Sequence, residues 1–288
     1  MENASSGTNN GKKPSRLPKR IILVRHGESE GNVDKNIYAI TPDHKVQLTE
    51  KGKEQSKKAG EMIRGLVCDS RNSGKGKVYF YVSPFLRTRE TLKEIGAAFS
   101  SSEIIGVREE SRVREMDYAK FHNTEKMDEY KKERERYGKF FYRFPGGESA
   151  ADVYDRVSGF IESLWRDIDM DMISYGANDD INLIIISHGL TIRVLLMRLF
   201  RWTAEQVDNL TSPKNAEVRI MELGHEGEYS LALHHDDQTL EKWGLSPEMI
   251  ANQKLRAYPP KVDLDKRVFS TNYFDHLANI FNLDVKKK

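Results

Sequence analysis

Two short apolar runs in this chain end in the same way, with a histidine followed by a glycine. Ile21 to Val24 leads into Arg25-His26-Gly27, and Leu183 to Ile186 leads into Ser187-His188-Gly189. Unbroken apolar runs of this length are typical of strands that are buried on both faces of a parallel sheet. Because the carboxyl ends of parallel strands meet at one edge of such a sheet, the two histidines are expected to lie close together.

Amphipathic segments separate the apolar runs, which favours an α/β fold. Helices are predicted from Leu48-Thr49 to Val67, from Arg87 to Phe99, from a Ser149–Asp152 capping box onward, and from Leu190 to Phe200. Further strands are predicted at Val78 to Val82 and as a hairpin of Val218 to Leu223 with Tyr229 to Leu233. The pattern predicts a single-domain, three-layer α/β/α sandwich whose central sheet is mostly parallel. Residues 1–18 are predicted to be a flexible tail, 19–240 the α/β domain, and 241–288 a peripheral extension.

Two arginines accompany the histidines. Arg25 precedes His26, and the predicted strand end Ser83-Pro84-Phe85-Leu86-Arg87 brings Arg87 to the same edge. Two histidines alone could bind a metal, but neighbouring arginines would repel a cation and favour an anion. The guanidinium fork pairs well with phosphate oxygens, so a phosphate site without metal or cofactor is expected. A glycine after each histidine would let the backbone approach the ligand closely.

The overall charge and the cysteine content exclude several other classes. The 46 lysines and arginines nearly balance the 44 aspartates and glutamates, so no basic field indicates nucleic-acid binding. No apolar stretch reaches the ~18 residues that a membrane helix requires. The single cysteine, Cys68, favours a reducing, cytoplasmic location, although the terminal Lys286 to Lys288 leaves a nuclear location open. The expected partner is a small-molecule phosphate ester; the oligomeric state stays open.

Four motifs in this order resemble the histidine phosphatase (phosphoglycerate mutase-like) superfamily, and most of all its plant and fungal members. They are Arg25 to Ser29 with Asn32, Ser83 to Thr91, Val113 to Tyr118, and Ser187 to Gly189. The resemblance implies that His26 forms a phosphohistidine, that Arg25, Arg87, His188 and Asn32 hold the phosphoryl group, and that Glu115 is the acid. From the residues alone, Glu115 could equally be one more surface ion pair.

The segment between Glu115 and Ser149 covers the nucleophile in that family and differs among its members. Glycolytic mutases carry two adjacent arginines there, whereas this chain has Arg134 and Arg136 apart in a charged run. Tyr118 and Lys126 fall where the mutases have a tyrosine and a lysine. Arg143 lies in FYRFPGGES, which resembles a sugar-phosphate-binding stretch of fructose-2,6-bisphosphatases.

Three functions remain open on this basis. The first is a phosphatase of a small phosphate ester, the second a phosphoglycerate-type mutase, and the third a non-catalytic phospholigand-binding or scaffold protein. Both histidines, both arginines and Glu115 are present, which counts against the third. A second anion-binding pair of arginines facing His26 would favour the mutase over the phosphatase.

Overall fold

The computed structural model describes residues 17–68, 75–118, 124–170, 172–173, 176, 179–224 and 226–259, without the side chains of residues 75 and 124–128. Most of the predicted N-terminal tail and residues 260–288 of the predicted C-terminal extension lie outside this part.

In the described part of the chain, one six-stranded sheet forms the centre, in the order β3-β2-β4-β1-β5-β6. The strands are β1 Arg20–Arg25, β2 Lys75–Val82, β3 Ile104–Glu109, β4 Asp179–Ser187, β5 Val218–Leu223 and β6 Tyr229–Ser230. The pairs that join β3, β2, β4 and β1 are parallel, whereas β5 is antiparallel to both β1 and β6. The mostly parallel sheet and the hairpin are confirmed; β3 was not predicted, and β6 is shorter than expected.

Helices cover both faces of this sheet. They are α1 Glu30–Val33, α2 Ile37–Ile40, α3 Glu50–Val67, α4 Leu86–Gly96, α5 Thr124–Tyr137, α6 Ala150–Asp169, α7 Gly189–Phe200, α8 Ala204–Asp208, α9 Asp237–Lys242 and α10 Pro247–Ala257. Short 3₁₀ turns lie at Asp43–Lys45 and Ser111–Val113. The Ser149 hydroxyl accepts a hydrogen bond from the Asp152 backbone N–H, as the predicted capping box requires. Such a cap satisfies backbone donors that the first helical turn leaves unpaired.

Alternating side chains of the strands divide the core into two clusters. Ile22, Val24, Ile184 and Ile186 pack in one cluster with residues of α3 and α4. Ile21, Leu23, Leu183 and Ile185 pack in the other with residues of α6, α7, α9 and α10. Because strand side chains alternate between faces, two apolar faces need two helical layers, and the three-layer sandwich follows.

The helices after β6 belong to the second cluster. Leu240, Trp243, Leu245, Met249 and Ile250 are all buried in it. The Thr211 backbone N–H also donates to the Trp243 carbonyl oxygen at 2.9 Å. Buried side chains therefore continue to Ala257, because apolar positions recur at helical spacing in this otherwise polar stretch.

Candidate active site

A cavity of about 590 Å³ opens at the carboxyl edge of the parallel strands. Arg25 of β1 pairs in register with Ser187 of β4, so His26 and His188 follow at the ends of neighbouring strands. The lining residues are Arg25, His26, Gly31, Asn32, Lys35, Tyr38, Asp43, Arg87, Glu115, Tyr118, Lys131, Arg134 and Phe144. This volume is in the range of small-molecule sites and exceeds what a phosphate group alone would fill.

His26 is held in one tautomer by the backbone carbonyl of the next residue, Gly27. Its Nδ1 lies 2.7 Å from the Gly27 carbonyl oxygen, and because a carbonyl only accepts, Nδ1 carries the proton and Nε2 keeps its lone pair. The ring is 4% exposed. Burial, followed by the charges of Arg87 and Arg25, lowers the pKa of His26 well below its usual value. The imidazole is therefore neutral and has an unprotonated Nε2, as a nucleophile requires.

His188 stands against His26 with the ring centroids 5.2 Å apart. Its Nε2 lies 2.7 Å from the Ser83 hydroxyl oxygen, and its Nδ1 is buried without a hydrogen-bond partner among the described residues. Burial, then Arg87, lowers the pKa of His188 well below the usual range. If the Ser83 hydroxyl donates to Nε2, Nδ1 carries the proton and can donate to an anion.

In both arginines, one guanidinium nitrogen is hydrogen-bonded to the protein. Arg25 Nη1 donates to the Pro213 carbonyl oxygen at 2.6 Å, and its buried Nε has no partner among the described residues. Arg87 Nη1 donates to the Asp43 carbonyl oxygen at 2.7 Å and to the Asp43 carboxylate at 2.8 Å. Arg87 is 3% exposed. Anchored in this way, the guanidinium groups need little reorganisation to pair with phosphate oxygens.

Glu115 lies in the cavity wall rather than in a surface ion pair. Its carboxylate accepts a hydrogen bond from the Met116 backbone N–H at 3.0 Å. Burial raises the pKa of Glu115, an effect that this hydrogen bond and the charge of Arg87 oppose. A carboxyl group with a raised pKa can hold a proton for a leaving group.

Neighbouring side chains fix the backbone around Glu115. The Thr191 hydroxyl donates to the Arg114 carbonyl oxygen at 2.7 Å, and Arg156 Nη2 donates to the Glu115 carbonyl oxygen at 3.1 Å. Glu148 accepts from Arg114, from Arg156 and from the Asp117 backbone N–H. The motif FYRFPGGES thus includes a residue that buttresses the acid segment, a role that was not predicted.

The glycine after His26 has a different role from the one expected. A Cβ atom at Gly27 would lie 2.2 Å from the Gly52 carbonyl oxygen and 2.6 Å from the Ser56 hydroxyl oxygen, both in α3. Gly27 is therefore required by the close approach of α3 rather than by a ligand. At Gly189 the nearest atom to such a Cβ is the Ser212 Cβ at 3.3 Å, which is a tight contact with a neighbouring loop.

Of the four other predicted binding residues, two line the cavity, one does not, and one has a side chain outside the described part of the structure. Asn32 and Tyr118 line the cavity, and the Tyr118 ring packs against Phe144 with centroids 5.3 Å apart. Arg143 does not belong to the cavity lining; it is largely exposed and pairs with Asp152 in the first turn of α6. Its assignment as a binding residue therefore has no support in the geometry. The side chain of Lys126 lies outside the described part of the structure.

Several lining residues were not predicted from the sequence. They are Lys35, Tyr38, Asp43, Lys131 and, as a lining residue, Arg134. Lys131 and Arg134 are three residues apart on α5 and so share a helix face. That i, i+3 spacing was visible in the charged run, but nothing in the sequence distinguished the cavity-facing side from the solvent-facing side.

The described residues contain neither a metal-binding cluster nor a membrane-spanning helix. No group of three or more histidine, cysteine, aspartate or glutamate side chains is arranged to hold a metal ion. No described helix is long and apolar enough to cross a membrane.

Fold and site together define an α/β protein with an anion pocket at the carboxyl edge of its sheet, built from His26, two arginines and the half-buried Glu115, with His188 packed against His26. Residues 21–236 match the sequence profile of the histidine phosphatase superfamily, branch 1, and the chain belongs to that superfamily. The recognition from the four motifs is therefore confirmed.

Named relatives agree with this assignment. The chain is 55% identical to phosphoglycerate mutase-like protein AT74 of Arabidopsis thaliana, over 91% of this chain and 84% of the relative. It is 30% identical to broad-range acid phosphatase DET1 of Saccharomyces cerevisiae, over 72% of this chain and 86% of the relative. A mycobacterial glucosyl-3-phosphoglycerate phosphatase bound to VO3 shares the fold, with a TM-score of 0.54 and 19% identity over 73% of this chain and 94% of that structure.

Proposed function

We propose that this protein is a metal-independent phosphatase that hydrolyses a small phosphate ester through a phosphohistidine at His26. The observation that carries the proposal is the tautomer of His26, whose Nδ1 is engaged by the Gly27 carbonyl oxygen at 2.7 Å. An unprotonated Nε2 in a cavity lined by Arg25 and Arg87 suits attack on a phosphoryl group.

The reaction would run in two balanced steps. In the first, the Nε2 lone pair forms a bond to phosphorus, the P–O ester bond breaks, and the leaving alkoxide takes the proton of Glu115. In the second, water attacks the phosphohistidine, its proton passes to the Glu115 carboxylate, and the P–N bond breaks to restore neutral His26. Arg25, Arg87 and His188 would offset charge on the transferring oxygens in both steps.

A relative that is named a phosphatase, and a cavity with room for an ester, support hydrolysis. The yeast relative is named a broad-range acid phosphatase, and a cavity of about 590 Å³ leaves room for the organic part of an ester. Cys68 is not a rival nucleophile, because burial raises the pKa of its thiol to about 11. A single thiol also suits a reducing compartment such as the cytoplasm.

The proposal is tested by assaying the protein against sugar phosphates, phosphoglycerates and nucleotides, and by quenching it during turnover. We expect release of inorganic phosphate together with an acid-labile, alkali-stable phosphate on His26, as a P–N bond requires. Binding of phosphate esters without turnover by the full chain would instead identify a phospholigand-binding or scaffold protein.

A phosphoglycerate-type mutase is the second candidate, and one observation favours it. Lys35, Lys131 and Arg134 line the same cavity as His26, so a second set of cationic groups is present although no adjacent arginine pair exists. These groups could hold the second anionic group of a phosphoglycerate. Following labelled phosphate decides between the two: transfer to water supports the phosphatase, and transfer to the other hydroxyl of a phosphoglycerate supports the mutase.

A further inference from the structure

The loop of residues 211–217, which connects α8 to β5, is bonded directly to the end of β1. The Ala216 backbone N–H donates to the His26 carbonyl oxygen at 3.1 Å, and the Arg25 backbone N–H donates to the Glu217 carbonyl oxygen at 3.2 Å. The Pro213 carbonyl oxygen accepts the hydrogen bond from Arg25 Nη1. None of these loop residues was singled out by the sequence, because the contacts are made far along the chain from the first motif.

The side chain of Asn215 makes three polar contacts with the first motif. Its Nδ2 lies 2.8 Å from Asn32 Oδ1, 3.2 Å from the Gly27 carbonyl oxygen and 3.3 Å from the His26 carbonyl oxygen. All three neighbours are acceptors, so the nitrogen rather than the oxygen of the amide must face them. One amide group thus joins the nucleophile's backbone to a cavity-lining side chain.

The contact between Asn215 and Asn32 determines which end of the Asn32 amide is available to a ligand. Asn32 Oδ1 accepts from the Ser29 backbone N–H at 3.1 Å, from the Ser29 hydroxyl at 3.1 Å and from Asn215. Because Asn32 Oδ1 accepts three hydrogen bonds, the orientation of the Asn32 amide is fixed. The Asn32 Nδ2 donors are therefore left for the cavity, where a phosphoryl oxygen can accept from them.

The contact with Gly27 concerns the tautomer of His26. The Gly27 carbonyl oxygen accepts from His26 Nδ1 at 2.7 Å and from Asn215 Nδ2 at 3.2 Å. If the Gly27 carbonyl turned away from the His26 imidazole, its hydrogen bond with Asn215 Nδ2 would break as well. The next residue, Ala216, has a φ of 55°, a left-handed conformation that costs a non-glycine residue roughly 1–3 kcal/mol and persists where the surroundings require it.

We propose that Asn215 is a positioning residue that presents both Nε2 of His26 and Nδ2 of Asn32 to the phosphoryl group. This inference rests on the proposed phosphohistidine chemistry, in which both atoms act. The simpler alternative is that Asn215 only fastens the loop to β1 and affects stability alone.

The test uses Asn215→Ala and Asn215→Asp, with Asn32→Ala and the Asn32→Ala/Asn215→Ala double variant. Lys214→Ala is the control, since Lys214 is an exposed neighbour in the same loop. Loss of the donors should lower kcat/KM for an alkyl phosphate by about 10- to 100-fold, the scale at which misplaced reacting groups act. Asn215→Asp should be at least as impaired, because it sets a carboxylate oxygen against three acceptors.

A positioning role predicts two results that a purely structural role does not. The double variant should be little worse than the more impaired single variant, because both single changes remove the same Asn32 contact. In the resting enzyme, the ¹⁵N signals of the His26 ring should show a protonated Nδ1, and Asn215→Ala should move the Nε2 signal toward that of a protonated nitrogen.

Two results would overturn the proposal: Asn215 variants with the activity of Lys214→Ala, or a loss that is additive with Asn32→Ala and accompanied only by a lower Tm. Failure of the proposed function is a separate outcome. A wild-type protein without phosphatase activity would remove the catalytic role, but the ¹⁵N measurement and the affinity for inorganic vanadate would still show whether Asn215 orients His26 and Asn32.

Discussion

Two groups of side chains share one cavity but are held in very different ways. The phosphate centre consists of Arg25, His26 and Arg87 in the cavity lining, together with His188, whose ring centroid lies 5.2 Å from that of His26. The second wall consists of Lys35, Tyr38, Lys131 and Arg134. His26, Arg87 and His188 of the centre are at most 4% exposed, whereas Lys35 and Lys131 of the second wall are exposed.

This difference follows from the elements that carry each group. The centre residues lie at strand ends or at the start of α4, in positions fixed by the register of buried strands. The second wall comes from the α1–α2 region and from α5, where tertiary packing sets which side chains face inward. The phosphoryl chemistry is therefore expected to depend on the centre, and the choice of ester on the second wall.

The largest effect is expected at the nucleophile of the centre. His26→Ala should reduce turnover to the limit of detection, because it removes the attacking nitrogen, while Arg25, Arg87 and His188 still bind vanadate or phosphate. Rates and vanadate affinity measured side by side test this, with His44→Ala, an exposed histidine, as the control. Undiminished turnover in His26→Ala would end the assignment of the nucleophile.

The second effect separates leaving groups. Glu115→Gln should slow the hydrolysis of alkyl phosphates by about 10²- to 10⁴-fold, the usual contribution of general acid catalysis. Aryl phosphates should be slowed far less, since a phenolate leaves without a proton. Steady-state rates on both ester types check this; equal losses would mean that the proton comes from another group, with Asp117 the next candidate.

The pH dependence follows from the two shifted pKa values of the centre and its acid. His26 attacks only when neutral, and its lowered pKa keeps it neutral below the usual histidine range. Glu115 donates only when protonated, and its raised pKa keeps the proton above the usual carboxyl range. The kcat/KM of an alkyl phosphate should therefore be greatest at acidic pH and fall as pH rises through the Glu115 pKa. In Glu115→Gln that alkaline limb should disappear; its persistence would assign the limb to another group.

The sequence predicted the centre well because each of its residues is a local feature of a strand end. His26, His188, Arg25 and Arg87 were placed together from strand pattern and motif alone, and Glu115 came from its motif. The contact of Arg143 with Asp152 and the close approach of the Gly52 carbonyl to Gly27 were not predicted, since such contacts are revealed only by packing. Asn215 and the burial of Trp243 depend on contacts between distant segments, which no local pattern encodes.

The smallest expected effect concerns the second wall, and it tests whether the two groups are truly separate. Lys131→Ala and Arg134→Ala should each raise KM for an ester with a second anionic group, such as a phosphoglycerate, by about fivefold, which corresponds to the ~1 kcal/mol of a solvent-screened charge contact. The KM for phenyl phosphate and the kcat for both esters should change little, because Lys131 and Arg134 are expected to contact the second anionic group and not the phosphoryl group.

Arg136→Ala is the matched control, since Arg136 lies on the same helix but outside the cavity lining. The difference between the KM changes for the two esters should become smaller as ionic strength rises, because exposed charges are screened within about 10 Å at 0.1 M salt. Equal effects of Lys131→Ala and Arg136→Ala would show that α5 acts only through its overall charge. A large loss of kcat in Arg134→Ala would instead place part of the second wall in the phosphoryl chemistry, and the division between the two groups would fail.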